Sequence, residues 1–141
     1  MRMALFALLL LACTIYALAR GGRPERIGAG TMFVGCVLTL AVNSPLSVRY
    51  ASVEIAILVV DAVMLGVFAA LALLSDRYWP LWVTALQLLV VLAHVAKLAD
   101  PEMLRNGYGF VMAVWSYPQL LAIALGTRAH YRKRTSPAAA T

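Results

Sequence analysis

Charged residues are scarce in this 141-residue chain. Asp, Glu, Lys and Arg make up 13% of it, whereas hydrophobic residues make up 63% and the mean hydropathy is +0.85. A soluble domain would carry about a quarter charged residues. A chain this short has too much surface to hide so large an apolar excess in a core of its own. The composition therefore argues against an ordinary soluble domain and predicts that the excess faces lipid.

Cysteine and histidine are also rare, with two of each. Cys13 and Cys36 both fall inside apolar runs, and no C-x-x-C pair occurs. This pattern favours two small buried residues over a disulfide or a metal site. The sequence contains no Ser/His/Asp, zinc-peptidase or phosphate-loop motif. We therefore expect no catalytic residues and no metal ligands, and we interpret the chain as a non-enzyme.

Five apolar runs separated by short polar links are what the chain does contain. About 20 apolar residues cross a bilayer as a helix. We predict an all-α, polytopic membrane protein, a bundle of five transmembrane helices with short loops, or of four if the first run is peripheral. The predicted helices form one domain over residues 1–127, at about 3–19, 27–43, 48–74, 77–99 and 107–126. Residues 128–141 are predicted to form a basic cytoplasmic tail with a disordered end.

The links carry their own signals. Residues 20–26 combine two glycines, a proline and three arginines, which predicts a hydrated loop. Tyr78, Trp79 and Trp82 follow the third run, and aromatic rings at such positions favour the membrane interface.

Basic residues are unequally divided between the two sides of the predicted bundle. Five spans place eight of the twelve on one side: Arg20, Arg23, Arg26, Arg77, Arg128, Arg132, Lys133 and Arg134. The positive-inside rule then predicts a multi-pass protein of the cell (inner) membrane with its amino terminus outside and its carboxy terminus in the cytoplasm.

Several polar residues interrupt the apolar runs. Asp61 lies at the middle of the third run, where a carboxylate costs about 2.5–3.5 kcal/mol to insert. Gln87 lies at the middle of the fourth run, and Ser116 and Tyr117 at the middle of the fifth. We predict an intramembrane polar cluster of these four residues with His94.

Two oppositely charged residues lie at a matching depth nearer the outer side. Glu54 and Lys97 each fall about 12–13 Å from the centre of their helices, at 1.5 Å per residue. We predict that they form an ion pair.

The polar cluster has two interpretations. In the first, it fixes how the helices pack, and the protein is a non-enzymatic subunit or scaffold of a membrane complex or homo-oligomer. In the alternative, a file from Glu54 and Lys97 through His94 to Asp61 moves protons or cations, as Asp/Glu/His chains do in transporters. A third interpretation is a haem- or quinone-binding subunit, with His94 as an axial ligand. The first is favoured, so we expect no cofactor.

The remaining candidates concern partners. Ala62, Gly66 and Ala70 repeat at four-residue spacing on the third run, a pattern typical of helix packing in membranes. We expect this packing to involve other membrane chains or copies of the protein. Basic residues of the tail are predicted to bind anionic lipid headgroups at the cytoplasmic face, rather than nucleic acid: Arg128, Arg132, Lys133 and Arg134.

Overall fold

The computed structural model describes residues 2–41, 55–99 and 105–136, with side chains at 4–41, 55–99 and 114–136. These residues form five helices and no strand. The helices are α1 (Arg2–Arg20), α2 (Arg23–Ala41), α3 (Ile55–Leu74), α4 (Trp79–Ala99) and α5 (Arg105–Thr135). The all-helical prediction and the number of helices are confirmed.

The helices pack as a ring around one core. Each of α1 to α4 contacts the next along the chain, α5 returns to contact α1, and α2 and α5 also touch. The link between α3 and α4 is too short for anything but antiparallel neighbours. Ser75 ends α3, because its hydroxyl and its backbone N–H both donate to the Leu71 carbonyl, at 2.6 and 3.0 Å. Pro80 lies in the first turn of α4, where its missing N–H costs nothing.

The link between α1 and α2 is shorter than predicted. Only Gly21 and Gly22 lie between the two helices, so the prediction of a hydrated loop over residues 20–26 is wrong. The reason is a capping interaction, in which the Gly22 N–H donates to Glu25 Oε2 at 2.9 Å. A carboxylate at the third helical position that reaches back to the N-cap stabilises a helix start. Pro24 also suits a first turn.

The last helix is longer than predicted. α5 continues past Gly126 to Thr135, so residues 128–135 are helical rather than an extended tail. Gly126 is an interior residue of α5, and it makes room for the Trp79 side chain instead of ending the helix. Residues 137–141, the predicted disordered end, lie outside the described residues.

The core is apolar and draws on all five helices. Its members include Leu10 and Ala17 of α1, Met32 of α2, Phe68 of α3, Val83 of α4 and Ile123 of α5. The outward faces are also apolar, with exposed leucine or valine side chains on every helix. Examples are Leu8, Val34, Leu73, Leu89 and Leu121.

Two of the described helices, α3 and α4, are long and apolar enough to cross a membrane, judged by length and composition. Only 11% of the most apolar stretch of α3 and 28% of that of α4 is buried in the bundle. The stretch Ala4–Arg20 is a shorter apolar helix. Most of the surface of α3, the most apolar helix, therefore faces outward.

Candidate functional site: two buried polar clusters

A chain of hydrogen bonds links α3, α4 and α5 inside the bundle. We call its members, Asp61, Gln87, His94 and Gln119, the central cluster. The Gln87 amide nitrogen donates to Asp61 Oδ1 at 3.0 Å and to the Asp61 carbonyl at 3.1 Å. Its oxygen accepts from the Gln119 amide nitrogen at 2.9 Å. Gln87 is thus the centre of the cluster, and it joins all three helices.

His94 closes the other end of this chain. Its Nε2 lies 3.0 Å from Asp61 Oδ2. Gln87 and His94 are seven residues apart on α4, which is two turns, so both side chains leave the helix on the face toward α3. Each of the two carboxylate oxygens of Asp61 therefore has its own partner. The Asp61 side chain is 15% exposed and that of His94 is 2% exposed, so the pair lies almost fully inside the protein.

The Asp61–His94 contact is one hydrogen bond between Nε2 and Oδ2. An Nε2–H would donate to the carboxylate, whereas a bare Nε2 would accept from a carboxylic acid. A haem iron that bound Nε2 would have to displace Asp61.

Three members of the predicted polar cluster, Asp61, Gln87 and His94, are joined by hydrogen bonds. The Tyr117 ring also packs edge-on against Phe6 of α1, with centroids 5.4 Å apart. Ser116 is half-buried. Gln119 was not predicted. The signal that could have identified it is its spacing, since it lies one turn beyond Ser116 in the same polar stretch.

Of the predicted ion pair between Glu54 and Lys97, only Lys97 is among the described residues. Glu54 lies outside the described residues, and Lys97 is buried one turn beyond His94 on α4, at 3% exposure. A lysine is almost never buried to this degree without a partner. His94 and Lys97 therefore extend the polar interior toward the end of α4.

The predicted packing stripe lies on the outside of the bundle. Ala62, Gly66 and Ala70 are all exposed, and a Cβ added to Gly66 would meet no atom within 4 Å. Within this chain the stripe makes no helix contact at Gly66, so any packing role involves another chain.

A second buried polar group lies at the end of the bundle where α1 meets α2 and α3 meets α4. We call Gly22, Glu25, Arg77, Trp79 and His130 the Glu25 cluster. Glu25 is 0% exposed. Besides its bond from Gly22, its carboxylate accepts a hydrogen bond from the Trp79 indole N–H at 3.1 Å and faces Arg77 Nε at 3.6 Å. A buried carboxylate needs such donors and an opposite charge.

Arg77 connects Glu25 to the last helix. Its Nη2 lies 2.7 Å from His130 Nδ1. A guanidinium has no lone pair to offer, so Nδ1 must accept and the proton of a neutral His130 lies on Nε2. Arg77 therefore joins the α3–α4 link to both α2 and α5. The sequence does not predict this cluster, because the glycines and arginines around Glu25 are typical of a solvated loop.

The Trp79 ring supplies the apolar contacts of the Glu25 cluster. Trp79 is buried in the bundle, whereas Tyr78 and Trp82 are exposed. That the three rings lie at the depth of the membrane interface stays a prediction. Two glycines leave space for the Trp79 ring. A Cβ on Gly28 would come within 2.5 Å of the indole, and a Cβ on Gly126 would overlap it. Larger residues at either position would separate α4 from α2 or α5.

The predicted lipid-binding residues lie on the last turns of α5. Arg128, Arg132, Lys133 and Arg134 are exposed there. The Arg20 guanidinium lies over the Tyr131 ring, 4.4 Å from its centroid, which ties the end of α1 to the same turns. Together with Arg77 these residues concentrate positive charge at one end of the bundle, which we call the basic end.

No group of three or more His, Cys, Asp or Glu side chains suited to hold a metal ion occurs among the described residues. Comparison with protein-family models, with curated proteins and with solved structures finds no match to this chain. Any functional conclusion therefore rests on the two clusters and on the surface that surrounds them.

Proposed function

We propose that this chain is an integral membrane protein whose five helices cross the bilayer. The observation that supports this most is the distribution of polarity across the bundle. Glu25, Gln87, His94, Lys97 and Gln119 are buried. Leucines and valines cover the outside. Water would favour the opposite arrangement, since apolar surface gains about 25 cal/mol per Å² on burial, whereas lipid favours this one.

The basic end supports an orientation. Arg20, Arg77 and the last turns of α5 lie together, and basic residues gather on the cytoplasmic side of membrane proteins. We propose that the basic end faces the cytoplasm and that the protein resides in the cell (inner) membrane. Alkaline phosphatase fused after residue 45 should be active and GFP fused after residue 141 should fluoresce. The reverse pattern would contradict this orientation.

Within the membrane, we propose a non-enzymatic role as a subunit or scaffold. The argument has two parts. The hydrogen bonds from Gln87 and His94 to Asp61 and from Gln119 to Gln87 each join two different helices, which is what a packing role requires. On the opposite side of α3, Gly66 lies in an exposed small-residue face with open space above it, and such faces let helices of separate chains approach closely.

The test of the subunit role is a comparison of two glycine variants. Gly66→Leu should abolish co-purification of partner chains, or of a second copy, in mild detergent. Gly30→Leu is the matched control, because Gly30 of α2 also has no atom within 4 Å of an added Cβ. The same helix content in both variants with loss of assembly only for Gly66→Leu supports the role. Equal assembly of both variants contradicts it.

The Asp61–His94 contact favours a second candidate function, proton transfer. Chains of Asp, Glu and His side chains in hydrogen-bond contact mark proton relays in membrane proteins, and Asp61 and His94 are in such contact. Lys97 is buried one turn farther along α4, so the polar interior continues past the pair. In vesicles with an internal pH dye, Asp61→Asn and His94→Gln should each slow the dissipation of an imposed pH gradient. Rates equal to that of the unmodified protein would exclude the relay.

A further inference from the structure

A groove between α4 and α5 opens beside the Glu25 cluster. Its volume is about 570 Å³, which is within the range of small-molecule and cofactor sites. Its walls differ along its length. Near the basic end they carry Asp76, Arg77 and Lys133, and farther along they are apolar, with Trp82, Leu125 and Pro118 among them.

We propose that this groove binds one anionic phospholipid, with the phosphate between Arg77 and Lys133 and an acyl chain along the apolar wall. The proposal rests on the membrane location proposed above, and it assigns one defined lipid site rather than a diffuse attraction to headgroups.

The charges at the mouth fit a phosphate. Arg77 comes from the α3–α4 link and Lys133 from the last turns of α5, so the two cations lie on opposite walls of the groove. Arg77 is 26% exposed, and its guanidinium is fixed by an ion pair with Glu25 and a hydrogen bond to His130. A guanidinium held in place loses little freedom when it binds a phosphate, for which its planar fork is well suited. The exposed Arg128, Arg132 and Arg134 add positive charge on the same helix end, which favours a headgroup of net negative charge.

The length of the groove fits an acyl chain in one leaflet. From Ala129 to Pro118 the α5 wall spans twelve residues, and the eleven steps between them amount to about 16.5 Å at 1.5 Å per residue. Half of a typical hydrocarbon core is about 15 Å. The groove therefore runs from the depth of a headgroup to about the middle of the bilayer. Pro118 lies at its deep end, within α5.

The experiment is native mass spectrometry of the full chain in mild detergent, with equimolar dioleoyl phosphatidylglycerol and dioleoyl phosphatidylethanolamine. We expect one bound phosphatidylglycerol per chain, preferred several-fold. Lys133→Gln should weaken this binding about fivefold, since a basic residue near an anionic headgroup contributes about 1 kcal/mol. Arg23→Gln is the matched control, because it removes the same charge from an exposed position at the start of α2 that is not part of the groove wall, and it should stay within about twofold.

A second pair of variants tests the apolar wall. Leu125→Trp should fill the groove and reduce bound phosphatidylglycerol, whereas Leu88→Trp, on an exposed face of α4 away from the groove, should leave it unchanged. Equal binding of the two lipids, or equal losses in Lys133→Gln and Arg23→Gln, would overturn the site. A groove occupied by a second copy of the chain in place of lipid would also overturn it. Failure of the membrane location would instead appear as protein in the soluble fraction.

Discussion

Glu25 accepts hydrogen bonds from two different parts of the chain at once. The Gly22 N–H, at the start of α2, donates to Oε2 of Glu25. The Trp79 indole N–H, at the start of α4, donates to Oε1. Arg77 supplies the opposite charge at 3.6 Å. Because the side chain has no contact with solvent, these donors replace all of the hydration that the carboxylate loses. One residue thus fixes where α2 begins and where α4 meets it.

Removal of this carboxylate should be costly. Glu25→Ala leaves the Trp79 N–H and the Gly22 N–H without their acceptor, and a buried donor left unsatisfied costs about 1–3 kcal/mol. We expect the free energy of unfolding to fall by about 2–4 kcal/mol, measured by denaturant titration in micelles and followed by circular dichroism. Trp79 fluorescence should shift to longer wavelength in the folded variant.

Asp76→Ala is the control for that loss. Asp76 is an exposed carboxylate next to Arg77, and surface substitutions of this kind usually change stability by about 0.5 kcal/mol or less. Equal effects of Glu25→Ala and Asp76→Ala would show that burial of Glu25 is unimportant for stability.

At this scale the sequence predicts some contacts and not others. Asp61 and Gln87 lie at the middle of adjacent apolar runs, so depth alone suggests that they meet. Glu25 lies among arginines and glycines, a composition typical of loops. Its burial depends on Arg77 and Trp79, which are more than fifty residues away in sequence and reach it only through the tertiary fold.

At the scale of the helices, two glycines set the distance between α4 and its neighbours. Gly28 and Gly126 leave the space that the Trp79 ring fills, one on α2 and one on α5. In sequence, Gly126 resembled a helix end, because glycine commonly follows the last turn. The packing of Trp79 against it places Gly126 inside α5 instead, so tertiary contact outweighs the local propensity.

Gly126→Ala should therefore destabilise the protein even though alanine is the better helix former. The added methyl group overlaps the indole ring, and overpacking of this kind costs about 1–3 kcal/mol. Gly30→Ala meets open space in α2, and it should be neutral or stabilise by up to about 1 kcal/mol. Thermal unfolding of both variants in the same micelles gives the comparison. A higher melting temperature for Gly126→Ala would contradict the packing described for Trp79.

Across the whole molecule, polar side chains lie inside the bundle and leucine and valine side chains lie outside it. The five apolar runs in the sequence correspond to the five helices. The length of an apolar run is a local property of the chain, so it can be read without knowing which helices are neighbours. Which face of each helix turns inward depends on contacts between helices, and this determines that Gln119 joins the central cluster while the Ala62–Gly66–Ala70 face stays outside. The chain surrounds the central cluster with apolar surface, as a protein in lipid does.

The most direct measurement of this claim is spin-label accessibility in liposomes, after replacement of Cys13 and Cys36 by serine. A nitroxide at Val63, Leu89 or Leu121, each an exposed apolar position of a different helix, should collide often with oxygen and rarely with a water-soluble nickel chelate. A nitroxide at Arg132 should show the opposite preference. High nickel accessibility at the three apolar positions would mean that water covers these helices, and it would contradict the membrane-spanning bundle.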